Sequence, residues 1–139
     1  MDLTLSFPRS PKIKMSGLVM IPRMIDKARA YNAKTLGEYI FPCPLDKIIL
    51  EFLNVDSEEV IQLVKKLTDS EIAIWVNERC FNYSNKDKER VNQNILEKKP
   101  DTQESLNRFI KLGNEINPVR VDITTWVDLL DIDENQTPL

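Results

Sequence analysis

Apolar residues recur at spacings of three and four through most of the chain, a period that predicts helices rather than strands. Between residues 18 and 32, Leu18, Ile21, Met24, Ile25, Ala28 and Tyr31 form one apolar face. The helix that carries it is expected to start near Ile21, because Pro22 fits a first helical turn and would kink the chain any deeper. Pro44 suits the first position of a second helix running to about Leu53. Asp56-Ser-Glu-Glu and Thr68-Asp-Ser-Glu each set a capping side chain three residues before a glutamate, which satisfies the free N–H groups of a helix start. They open helices over about 57–67 and 69–79 and mark a tight helical hairpin. Ser84 caps a polar helix to about Lys98, and Thr102 caps another to about Ile116, where Asn117-Pro118 stops it. A last short helix over about 124–131, capped by Asp122 or Thr124, is expected to bury Trp126, Leu129 and Leu130.

No stretch alternates apolar and polar residues with period two, so the fold class expected is all-α. The architecture is a compact single-domain bundle of about six to seven short helices over 16–139, behind an extended N-terminal arm over 1–15 punctuated by Pro8 and Pro11. The segment from Thr35 to Cys43 reads as a turn followed by a short extended piece.

A chain of 139 residues is long enough for one core. Its 42% hydrophobic and 29% charged residues are ordinary for a globular domain. The longest apolar runs, such as 72–76, fall far short of the ~20 residues that span a bilayer, and Asp2, Pro8 and Arg9 precede any apolar stretch at the N-terminus. A cytoplasmic protein without membrane association is therefore expected. Cys43 and Cys80 are far apart and form no Cys-x-x-Cys pair, which argues for free thiols and against a disulfide framework or structural zinc.

Charge changes this picture more than composition does. Residues 1–34 carry a net +5 and residues 101–139 a net −5, so the two ends are electrically complementary and are expected to face each other. An overall pI near 5.1 disfavours nucleic acid as a partner of the basic end.

The chain contains no histidine, which removes Ser-His and Cys-His nucleophiles and the commonest transition-metal ligand. Gly17, Gly37 and Gly113 are its only glycines, too few and too scattered for a Rossmann or P-loop signature. The acidic stretch after Asp122 lacks the alternating ligands and central glycine of a calcium loop. Neither a cofactor nor a metal is expected.

The chemistry that remains sits in a few places. On a helical wheel Arg23, Lys27 and Lys34 share the polar face of the first helix, with Asp26 between Arg23 and Arg29. Arg29 falls at the edge of the apolar stripe, where a guanidinium needs a bound anion or a carboxylate such as Asp26, Asp46 or an acidic residue near the C-terminus. Glu38 and Tyr39 offer an acid and a base in a Gly-Glu-Tyr turn. Cys43, between two prolines at a helix start, is either an activated thiol or an inert buried one. Asp128 and Asp131 are expected to meet the basic first helix or water, while Trp126 enters the core.

Phe7-Pro-Arg-Ser-Pro11, Pro22-Arg-Met-Ile-Asp-Lys-Ala-Arg-Ala30, Thr35-Leu-Gly-Glu-Tyr39, Cys43-Pro-Leu-Asp46 and Asp122-Ile-Thr-Thr-Trp-Val-Asp-Leu-Leu-Asp131 occur in this order. In these strings the chain resembles a bacterial family known as domain of unknown function 5069. Asn54 departs from the resemblance, standing where a glycine is expected. The resemblance implies one small domain and no particular reaction. It also implies that Arg23, Asp26, Lys27, Arg29, Glu38, Tyr39, Cys43, Asp46, Asp122, Trp126 and Asp128 recur as family motifs. Two functions fit. One is a non-catalytic binding or interaction protein with a cationic pocket for a small anion or a partner's acidic segment. The alternative is an enzyme using carboxylate, tyrosine or cysteine chemistry on an anionic metabolite, with Asp26 or Asp46 as base, Tyr39 as acid, and Arg23 and Arg29 as substrate clamps.

Overall fold

A computed structural model describes residues 1–116 and 123–134. Seven helices lie among them: α1 (Ile21–Asn32), α2 (Pro44–Leu53), α3 (Ser57–Lys66), α4 (Asp69–Arg79), α5 (Asn85–Leu96), α6 (Gln103–Ile116) and α7 (Trp126–Asp133). The stop at Asn117-Pro118 and the candidate Asp122 lie outside the described residues. No described helix is long and apolar enough to cross a membrane.

The local rules of helix initiation account for most of these boundaries. Asp56 accepts from the Glu59 N–H, and Thr68 and Glu71 exchange both capping-box bonds, as do Ser84 and Asp87. The last described helix departs from expectation: it is capped by Thr125, whose hydroxyl accepts from the Asp128 N–H, one residue after the expected Thr124. Its buried face consequently shifts. Val127 and Leu129 are buried and Leu130 packs against the core, whereas Trp126 stays half-exposed rather than entering it.

The all-α reading also passed over a small hairpin. Two-residue strands β1 (Lys14–Met15) and β2 (Leu18–Val19) pair antiparallel around Ser16 and Gly17, both at positive φ, the condition of a tight two-residue turn. Helix α5 fastens it. Lys88 donates to the Ser16 carbonyl, Asn92 donates to the Gly17 carbonyl, and Val19 N–H donates to Asn92 Oδ1.

The core forms around α1, which packs along α3 and is buried on nearly every side. Leu18, Met20, Ile21, Ile25 and Ala28 meet Ile49 of α2 and Ile95 of α5, all essentially inaccessible to water. The arm before β1 is not free. Leu3 and Pro8 are buried, the Leu3 N–H donates to the Thr35 carbonyl, and Met20 N–H donates to the Pro11 carbonyl, so the arm lies over the charged side of α1.

Candidate functional site

That covering decides the fate of the charged residues on α1. Helical spacing puts Arg23 and Lys27 on the polar face of α1, and the structure buries that face: Arg23, Asp26 and Lys27 are 2, 5 and 2% exposed. The arm covers this face from one side, α7 from another and α2 from a third, and each supplies the charge that its neighbour on α1 requires.

Arg23 is met by the residue that caps the C-terminal end of α7. Its two terminal nitrogens donate to the two carboxylate oxygens of Glu134, each at 2.7 Å, and Nη1 donates a third, longer bond to the Arg9 carbonyl. Burial alone would lower the Arg23 pKa; the hydrogen bonds and charge of Glu134 more than reverse this and hold it above its ordinary value. The Tyr39 ring lies under the guanidinium, 5.5 Å from its centre, and the Tyr39 hydroxyl donates to Glu134 Oε2 at 3.0 Å. Burial first, and the Glu134 charge second, push the phenol pKa up, so Tyr39 holds its proton firmly.

Lys27 is met by α2. Its ammonium lies 2.6 Å from Asp46 Oδ2 and donates to the Ile40 carbonyl at 3.1 Å and to Cys43 Sγ at 3.2 Å. The same Asp46 oxygen accepts from the Cys43 N–H at 2.9 Å, so one fully buried carboxylate both caps α2 and pairs with α1. Cys43 sits at a helix start, yet its thiol is not activated. Burial, followed by the Asp46 charge, raises its pKa, and nearby Lys27 offsets this only in part.

The remaining motif charges pair elsewhere. Arg9 of the arm donates through backbone and side chain to Asp26, and through Nη1 to Asp69 at the start of α4. Asp69 also takes Arg29, at 2.7 Å. The partner of Arg29 is thus neither Asp26 nor Asp46 nor a C-terminal acid: α3 lies along α1, and the turn out of it delivers Leu67 and Asp69 to the Arg29 fork. Lys12 lies 2.6 Å from Asp128 and 3.5 Å from Asp131, and the Ser10 hydroxyl donates to Asp131. The basic first third and acidic last third therefore meet, through the arm as much as through α1.

One cavity of about 530 Å³ gathers part of this set. Arg23 and Lys27 line it from α1, Glu38 and Tyr39 from the Gly-Glu-Tyr turn, Cys43 from the start of α2, and Trp126 from the start of α7. Asp46 lies beneath that lining, while Asp26, Arg29 and Asp128 do not reach it. The N-terminal ends of α2 and α7 both border the space, and the positive end of a helix dipole favours an anion.

The far wall escaped the sequence reading. Lys98, Lys99 and Asp101 come from the segment between α5 and α6, and Ser105 and Arg108 from α6. Among the described residues, the side chains of Lys98, Lys99 and Arg108 make no ion pair. Arg108 lies over the Trp126 indole, 5.8 Å from its centre, and Phe109 meets the same ring edge-on at 5.0 Å. A guanidinium held over an indole face keeps N–H donors for a further partner, and a carboxylate or phosphate can meet such a group with two bonds. The available signals were the Lys-Lys-Pro-Asp run after a polar helix and an arginine one position before a phenylalanine, neither of which points to a site in isolation.

A family model described as domain of unknown function (DUF5069) matches residues 5–136, and the chain belongs to this family. No curated protein matches the chain.

Proposed function

We propose that this member of the DUF5069 family is a non-catalytic binding protein whose cavity between α1, α2, α6 and α7 takes a small anion. The observation that carries the reading is the convergence of Lys98, Lys99 and Arg108 on one cavity, without a carboxylate paired to any of them among the described residues. The space, about 530 Å³, lies in the range of small-molecule pockets and is small for a partner's folded segment.

The non-catalytic form of the reading is supported by the engagement of the bases and the acid that the catalytic alternative names, Asp26, Asp46 and Tyr39. A general base needs a free lone pair facing substrate. Asp26 is held by Arg9 outside the cavity, Asp46 is sealed under Lys27 and Cys43, and the Tyr39 hydroxyl already donates its hydrogen bond to Glu134. A cytoplasmic setting accords with the two cysteines being free thiols.

Thermal unfolding with and without inorganic phosphate, acetate and citrate tests the reading. A native-state ligand at a hundred times its Kd stabilises by about 2.7 kcal/mol. The shift should vanish in Arg108→Gln, a surface change that leaves the buried pairs intact. A shift that survives in both Arg108→Gln and Lys99→Gln would place the anion elsewhere.

A further inference from the structure

The cavity is not uniformly polar, and its two ends differ. At the floor, Arg23 and Lys27 are already matched by Glu134 and Asp46, so that end offers little net charge. Leu45, Leu130, Ile40 and the Trp126 ring supply apolar wall, and Ile40 is 68% exposed although it lines the space. At the mouth, the exposed Lys99 and Arg108 and the half-exposed Lys98 share the lining with the carboxylates of Asp101 and Glu38. Three cations against two carboxylates leave a single positive charge.

Resting on the anion-pocket reading, we propose that the ligand is a monoanionic organic acid with an apolar body: its carboxylate meets the Arg108 and Lys99 side chains at the mouth, and its body lies against Trp126, Ile40 and Leu45. A hydrated inorganic anion gains nothing from that apolar wall, because it would leave the indole and Ile40 wet. A dianion would exceed the net charge at the mouth. An uncharged apolar molecule would leave the Arg108 fork and both lysines without a partner. An acid of this kind satisfies both ends at once, and no covalent change is asked of it.

Titration calorimetry of the full chain with four probes decides the matter: acetate, 2-naphthoate, its uncharged counterpart 2-naphthalenemethanol, and inorganic phosphate. 2-Naphthoate is expected to bind at least tenfold more tightly than acetate, phosphate or the alcohol. Arg108→Gln should reduce it to the level of the alcohol, and Trp126→Ala should narrow the preference for 2-naphthoate over acetate. Circular dichroism verifies that both variants are folded. Acetate or phosphate binding as tightly as 2-naphthoate, and still depending on Arg108, would overturn the apolar-body inference and leave the anion pocket standing. Equal binding of acid and alcohol, unaffected by Arg108→Gln, would overturn the anion pocket itself. No heat from any probe would sink both.

Discussion

Arg23 and Glu134, 111 residues apart in sequence, meet through two parallel hydrogen bonds of 2.7 Å with both side chains at 2% exposure or less. A fork-to-fork pair of this kind is strong once formed, and expensive when one member is removed, because the other is left charged in a dry interior. Arg23→Gln or Glu134→Gln alone is expected to cost about 3–5 kcal/mol in urea unfolding. The combined Arg23→Met and Glu134→Leu variant should cost less than either single change.

Cys43 should react slowly. Burial and the Asp46 charge keep its thiol protonated at neutral pH, and the thiolate is the reactive form. In a Cys80→Ser background, the rate of alkylation by iodoacetamide should rise with pH to a midpoint above the ordinary thiol value. Lys27→Met removes the adjacent cation that favours the thiolate and should move the midpoint higher still. A midpoint near neutrality would contradict the inert assignment.

Asp69 ties stability to acid. Burial is the largest single influence and raises its pKa, but the hydrogen bonds and charges of Arg29 and Arg9 together outweigh it and hold the carboxyl below its ordinary value. A depressed folded-state pKa gives stability that is present above the unfolded value, about 3.9, and is lost as pH falls through the folded one. Urea midpoints followed downward from pH ~6 should therefore drop less steeply in Asp69→Asn than in the wild type.

Asp133 works in the opposite sense. Burial first, and the neighbouring Glu134 charge second, raise its pKa, so its ionisation opposes folding as pH rises past the ordinary carboxylate value. Asp133→Asn is expected to raise stability at neutral pH and to change nothing in strong acid, where the carboxyl is protonated in both states.

Asn54 ends α2 with φ 56° and ψ 47°, the left-handed conformation in which glycine is free of strain and asparagine is the best-tolerated alternative. Arg79 secures the turn by donating to the Leu53 and Asn54 carbonyls. Asn54→Ala should cost about 1 kcal/mol, whereas Asn54→Gly should stay within about 0.5 kcal/mol of the wild type, both read by urea unfolding.

What could be read from the chain was what is decided locally. The helix starts at Ser57, Asp69 and Asn85 follow from side chains three residues apart, and the start of α1 follows from Pro22. The hairpin at Ser16 and Gly17 was missed because two-residue strands are too short to show a period. The burial of Arg23 and Lys27 could not be seen either. A helical wheel separates apolar from polar positions, but the covering of the polar side comes from Arg9, Asp46 and Glu134, on three elements that the wheel does not contain. The candidate site divides in the same way. The Gly-Glu-Tyr turn and the Cys-Pro-Leu-Asp segment were visible as unusual strings, while Lys98, Lys99 and Arg108 acquire meaning only once α7 carries Trp126 to them.

The pairing of the two ends also sets an order of events at the ribosome. Translation delivers α1 long before α7, so Arg23 and Lys12 emerge without the carboxylates of Glu134 and Asp128 that later meet them. Until more than a hundred further residues are made, the surface of α1 around Arg23 that will be dry stays wet. The apolar stripe of α1 can engage α2 and α3 as they appear, and Asp26 and Lys27 can meet Arg9 and Asp46, but the cover over Arg23 can close only when α7 and Glu134 arrive. Closure over Arg23 therefore waits for Glu134, and a chain interrupted before it is left with a buried-type arginine facing water.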